Sequence, residues 1–184
     1  MKYVDISAAC NAKWISSESE KAKGIESARV ERKLLSNGKI EGAGYSFLPP
    51  ESGNDLIVCA GQRVPIIGGG NASVLDIAYF AAFGLFIDTV TLEYESGIKE
   101  EITLGFKDLL WLFIEYSHLT WTDLRRTQPC GEKVFEFVYL RDDGVWLRGA
   151  VWAHSVPLKK GEKLTAVILP NNGFINVCGL TLRE

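Results

Sequence analysis

From Gly38 to its end the chain is written in short runs of β-branched and aromatic residues separated by turn formers, and this pattern restricts it to an all-β architecture. The runs are 55–60, 90–94, 98–104, 134–140, 145–156, 163–169 and 174–182. Strands of this length and spacing each bury one face and stack into a sandwich or barrel, so an antiparallel β-sandwich of eight or more strands is expected. The 184 residues show no internal repeat, low-complexity tract or linker, which reads as a single domain over 1–184. The one helical candidate lies in 16–36. It starts at Ser16-Ser17 and ends at Ser36-Asn37-Gly38, but Ile25, Ala28 and Leu35 give weak periodicity and Gly24 interrupts it. A short N-terminal helix and a mobile excursion are equally compatible with it.

Two hairpins can be registered from their turns. In 90–104, a three-residue loop Glu95-Ser96-Gly97 sets Tyr94 opposite Ile98, Glu93 opposite Lys99 and Val90 opposite Ile102. A two-residue loop would instead oppose Glu93 to Glu100, and like charges across a ladder destabilise it. For 133–154, a type I′ turn at Asp143-Gly144 pairs Arg141 with Trp146, Tyr139 with Arg148, Phe137 with Ala150, Phe135 with Trp152 and Lys133 with His154. One face is then aromatic and cationic, and the other is small and aliphatic apart from Glu136. A three-residue loop at Asp142-Asp143-Gly144 would instead move Tyr139 and Arg141 beside Leu147 and Val145 and divide the aromatic-cationic face between two sides.

Lys plus Arg number 20 against 23 Asp plus Glu, a formal charge of −3. Nucleic acid is therefore excluded as the expected partner. No stretch approaches the ~18 apolar residues of a membrane span, and residues 73–86 are broken by Asp76 and Gly84. The first residues, Met1 to Asp5, lack the apolar core of a secretory signal. A cytoplasmic location is expected on that ground, or an extracellular one if a leader has been trimmed. Cys10, Cys59, Cys130 and Cys178 stand singly with no C-x-x-C pair. Buried free thiols are the expectation, with two disulfides the alternative in an exported protein.

The stretch Gly42-Ala43-Gly44-Tyr45-Ser46-Phe47, then Asn54 to Ile66 containing Asp55-Leu56-Ile57-Val58-Cys59-Ala60-Gly61-Gln62, resembles accessory β-sandwich modules of bacterial glycoside hydrolases. These are of the galactose-binding-domain-like jelly-roll type. An apolar strand over 74–84, a hairpin opening at 90–94, Val156-Pro157-Leu158 through Leu169-Pro170-Asn171, and Val177-Cys178-Gly179-Leu180-Thr181-Leu182 continue the likeness in order over about residues 40–182. The resemblance implies that fold and a carbohydrate-binding or accessory role. Its motifs are turns and strands, so it carries over no ligand residue.

The leading candidate site is the face with Tyr139, Arg141, Trp146, Arg148, Trp152 and His154. Flat rings stack on the C–H faces of sugars, and Arg and His donate to ring hydroxyls. The competing reading makes Phe135, Phe137 and Trp152 a second core layer, or has residues 16–35 or another subunit cover the face. A runner-up is the insertion-like connection 106–126, where Trp121, Arg125 and Arg126 gather.

No catalytic motif is present: there is no G-x-S-x-G, and His118 and His154 have no partner at metal-ligand spacing. Gly68-Gly69-Gly70-Asn71 lacks the Lys of a phosphate loop and reads as a hairpin loop. No cofactor is expected. Asp142, Asp143, Asn171 and Asn172 offer oxygens for a structural calcium, without an alternating acidic loop. The expected function is a non-catalytic carbohydrate-binding or accessory module. The alternative is a structural or assembly domain that forms a homodimer or docks a partner through its aromatic face, and a glycan-acting enzyme stands third.

Overall fold

The computed structural model describes residues 1–16, 30–110, 131–140 and 146–184. They form an antiparallel β-sandwich with strands β1 (Lys2–Tyr3), β2 (Ile15–Ser16), β3 (Val30–Glu31), β4 (Ile40–Gly42), β5 (Tyr45–Phe47), β6 (Ile57–Val58), β7 (Arg63–Gly69), β8 (Val74–Ala81), β9 (Phe86–Tyr94), β10 (Lys99–Phe106), β11 (Glu132–Leu140), β12 (Trp146–Pro157), β13 (Leu164–Ile168) and β14 (Ile175–Arg183). A six-stranded sheet runs β1-β14-β8-β12-β11, with β6 added on β14, and a four-stranded sheet runs β10-β9-β13-β7. Two small pairs, parallel β2–β3 and antiparallel β4–β5, complete it.

Burial explains why β8 and β14 read as nearly unbroken apolar runs rather than alternating ones. Odd residues of β8 enter one core and even residues the other, and in β14 the alternation changes phase at the irregularity between Val177 and Gly179. Between the sheets, Ile77 and Tyr79 of β8 meet Val177 and Leu180 of β14, Val90 and Leu92 of β9, Leu104 and Phe106 of β10 and Val167 of β13. On the opposite side of the six-stranded sheet, Ala78, Phe80, Val151 and Cys178 pack under Trp14, Ile15, Val30, Ile40 and Phe47. The N-terminal third is thus a third layer, and each large apolar side chain it buries is worth about 1.5–3 kcal/mol.

That layer is pinned by Asp55, a fully buried carboxylate. Its Oδ1 accepts the amides of Trp14 and Ile15 at 2.7 and 3.0 Å, and its Oδ2 lies 3.2 Å from Lys13 Nζ. Asp76, also buried, receives the Arg183 guanidinium on both oxygens and the Ser155 hydroxyl at 2.7 Å. It joins three strands of the larger sheet.

The β9–β10 hairpin has the expected register: Glu93 faces Lys99, Val90 faces Ile102, and Gly97 supplies φ +88° in the three-residue loop. The β11–β12 pairing differs by one residue from the two-residue-turn reading. Leu140 faces Trp146, Tyr139 faces Leu147, and an irregularity falls between Lys133 and Phe135. This is the register of the three-residue-loop alternative, and it separates the aromatic residues of β11 from those of β12. The glycine run 68–70 is not a hairpin loop: Gly68 and Gly69 end β7 of the smaller sheet, and Gly70 begins the connection to β8 of the larger one. Of 16–36, the described ends are β2, β3 and a single 3-10 turn over Arg32–Leu34, with no α-helix there. Residues 17–29 lie outside the described residues.

Candidate functional site

The shifted register decides the fate of the expected aromatic-cationic face. Arg148, Ala150, Trp152 and His154 point to one side of β12, and the smaller sheet covers that side from Ala150 onward. Trp152 is 6% and His154 4% exposed, so both are built into the core and not displayed on an open platform. Arg148, beyond the cover, is exposed and pairs with Glu136 at 3.6 Å. It borders an open groove of about 640 Å³ that also touches Leu34, Phe135 and Val138. Phe135 and Phe137 stack on each other at 5.8 Å on the opposite side of the sheet, where Phe137 meets Trp14 edge-on. Tyr139 and Trp146 lie on the strands, but their side chains, together with Arg141, Trp121, Arg125 and Arg126, fall outside the described residues.

Around Trp152 the core is polar. Its Nε1–H donates to the Asp108 carbonyl at 3.0 Å, and Lys107 Nζ stands 4.2 Å above its ring while donating to Gly131 O at 2.6 Å. His154 stacks on Tyr79 at 4.9 Å and meets the edge of Phe106. Burial pushes its pKa down to about 4, assisted by the nearby Lys107 cation. The ring is therefore neutral, and its Nε2–H donates to Gly105 O at 2.9 Å.

Exposed aromatic rings gather where the β8–β9 and β13–β14 connections meet. The β8–β9 connection carries Phe83 at its tip, 67% exposed, with Phe174 from the β13–β14 connection 49% exposed beside it. Phe174 stacks on Phe86 at 5.5 Å with ring planes 7° apart, and Phe83 stands at 83° to Phe174 with centroids 5.9 Å apart. Three rings thus form a right-angled step open to solvent. Phe83 adopts φ +66°, a conformation that bulky side chains rarely take. The Asp108 carboxylate holds the tip there by accepting the Gly84 amide.

Two residues along from Phe86 and Phe174, Asp88 Oδ2 accepts Asn172 Nδ2–H at 3.3 Å, and Asn172 Oδ1 accepts the Phe174 amide at 3.1 Å. Both side chains are half-buried. Asp88 also acts on Cys59, whose thiol is pushed up to about 12, first by burial and then by this carboxylate. Cys10, Cys59 and Cys178 are free thiols, which leaves no room for the two-disulfide alternative. Among the described residues no group of three or more His, Cys, Asp and Glu side chains converges as a cation site would require. Of the oxygens considered for calcium, Asn171 is exposed, Asn172 is engaged with Asp88, and Asp142 and Asp143 lie outside the described residues.

Phe83, Phe86 and Phe174 form a cluster that sequence reasoning missed, because 74–84 reads as one apolar strand. The available signal was Ala82-Phe83-Gly84-Leu85-Phe86: a turn needs its glycine, but nothing in turn chemistry needs two phenylalanines around it. No protein-family model and no curated protein matches the chain.

Proposed function

We propose that the protein is a non-catalytic carbohydrate-binding module whose binding surface is the Phe83–Phe86–Phe174 step. The observation that carries this reading is Phe83. An exposed phenylalanine forgoes its burial energy, and one at φ +66° also bears backbone strain on the order of 1–3 kcal/mol. The edge-on contact with Phe174, worth about 0.5–1.5 kcal/mol, offsets only part of these costs. Both are accounted for if the ring must be presented to a ligand with an apolar face and polar edges, which describes a pyranose, and the Asp88–Asn172 pair supplies polar partners close by. The resemblance of residues 40–182 to accessory sandwich modules of glycoside hydrolases supports the same reading.

The variant that tests it is Phe83→Gly, because the two roles of the residue pull in opposite directions. Glycine relieves the left-handed backbone, so stability in urea is expected to hold or to rise by about 1 kcal/mol. Affinity for immobilised glycans is expected to fall about tenfold or more. Unchanged glycan binding in Phe83→Gly, or no glycan bound by the parent protein, overturns the proposal. A dimer in sedimentation that dissociates on the same substitution replaces it with the assembly reading.

A further inference from the structure

Phe86 and Asp88 share one face of β9, two residues apart, and Asn172 and Phe174 are likewise two apart on the facing connection. The ring pair and the polar pair therefore lie next to each other where β9 meets this connection. The polar pair has capacity to spare. Asp88 Oδ1 accepts the Thr89 amide at 2.8 Å and Oδ2 accepts a single hydrogen of Asn172, while Asn172 Oδ1 accepts the Phe174 amide. A carboxamide nitrogen carries two hydrogens and a carboxylate oxygen two lone pairs. Among the described residues, the second Nδ2–H of Asn172 and a lone pair of the adjacent Asp88 Oδ2 therefore remain side by side, on half-buried groups next to an exposed aromatic surface.

We infer that Asp88 and Asn172 are the specificity-determining residues of this site and select a sugar that presents two adjacent hydroxyls to them. One hydroxyl donates to Asp88 Oδ2, and its neighbour accepts the second Nδ2–H of Asn172. This rests on the carbohydrate reading of the ring step and goes beyond it, since stacking alone does not distinguish one sugar from its epimer or deoxy analogue. A diol engages both groups at once. A sugar lacking either hydroxyl leaves a half-buried polar atom unpaired, and such loss is expected to weaken binding about tenfold or more.

The test is calorimetric titration with methyl glycosides of the common hexoses, pentoses and 6-deoxyhexoses and with their monodeoxy derivatives. They are titrated into the parent, Phe83→Gly, Asp88→Asn and Asn172→Ala proteins, with thermal melts to confirm folding. The expected result has three parts. The parent binds at least one glycoside; it loses about tenfold when one of two adjacent hydroxyls is removed; and that loss disappears in Asp88→Asn and in Asn172→Ala. If the parent binds and Phe83→Gly does not, but the Asp88→Asn and Asn172→Ala variants keep the parent's affinity and its penalties for the deoxy sugars, the polar pair is a brace for the connection. The inference then falls while the ring step stands. A parent indifferent to every deoxygenation overturns the inference without recourse to the variants. A parent that binds none of the panel overturns both readings.

Discussion

At the residue scale, a histidine at 4% exposure can be accommodated in an apolar sandwich when it stays neutral, and His154 meets that condition through its bond to Gly105 O and its stack on Tyr79. The consequence is a pH dependence of stability. In the unfolded chain the ring takes up a proton near pH 6.5, whereas in the folded protein it does so only near pH 4. Protons therefore favour the unfolded state between these values. Stability from this group is complete above about pH 6.5 and is lost as pH falls to about 4, a change on the order of 3 kcal/mol. Urea unfolding at pH 7.5 and pH 5 should show the parent weakening on acidification, and His154→Gln should flatten that part of the profile. An identical slope in both proteins would mean that other groups carry it. Phe83 is the converse case: it meets Phe174 edge-on, yet two-thirds of it stays exposed.

At the element scale, the two long hairpins show which parts of a strand pairing a chain can announce. β9–β10 was legible because one turn register brought Glu93 against Glu100 and the other against Lys99, a local electrostatic choice that the folded protein makes the same way. β11–β12 was not, because its Asp-Gly turn signal is local while the register is set by what covers each face. Phe137 must lie across β12 under Trp14, and it does so over Gly149, where an added Cβ would stand 2.7 Å from the ring. Gly149→Ala is therefore expected to cost about 1–3 kcal/mol by overpacking, read as a lower urea midpoint with an unchanged slope. A neutral result would show that Phe137 can move aside.

At the scale of the whole molecule, the last strand is an interior one. β14 sits between β1 and β8, so Lys2 faces Leu182 and both ends of the described chain meet in the larger sheet. Arg183 closes this arrangement on Asp76 with a second contact to Ser155. Arg183→Ala leaves a carboxylate at 1% exposure with only a hydroxyl partner, and should cost on the order of 2 kcal/mol; the figure sits below that for a fully buried pair because the guanidinium is 36% exposed. Adding Asp76→Asn should recover part of the loss in a double-mutant cycle. Additive losses would show that the pair is not coupled.

The sequence by itself determined the all-β class, the position of most strands and one hairpin register, since these depend on the spacing of apolar and turn residues within a few positions of each other. Tertiary structure decided which faces are covered. Trp152 and His154 carry the residue types of a sugar platform, yet the smaller sheet lies over them; Phe83 and Phe174 sit in apolar runs that look like core, yet both emerge where the β8–β9 and β13–β14 connections meet. Burial of a side chain is fixed by partners remote in sequence, here β9, β10 and β13 against β12, and no local pattern carries that information.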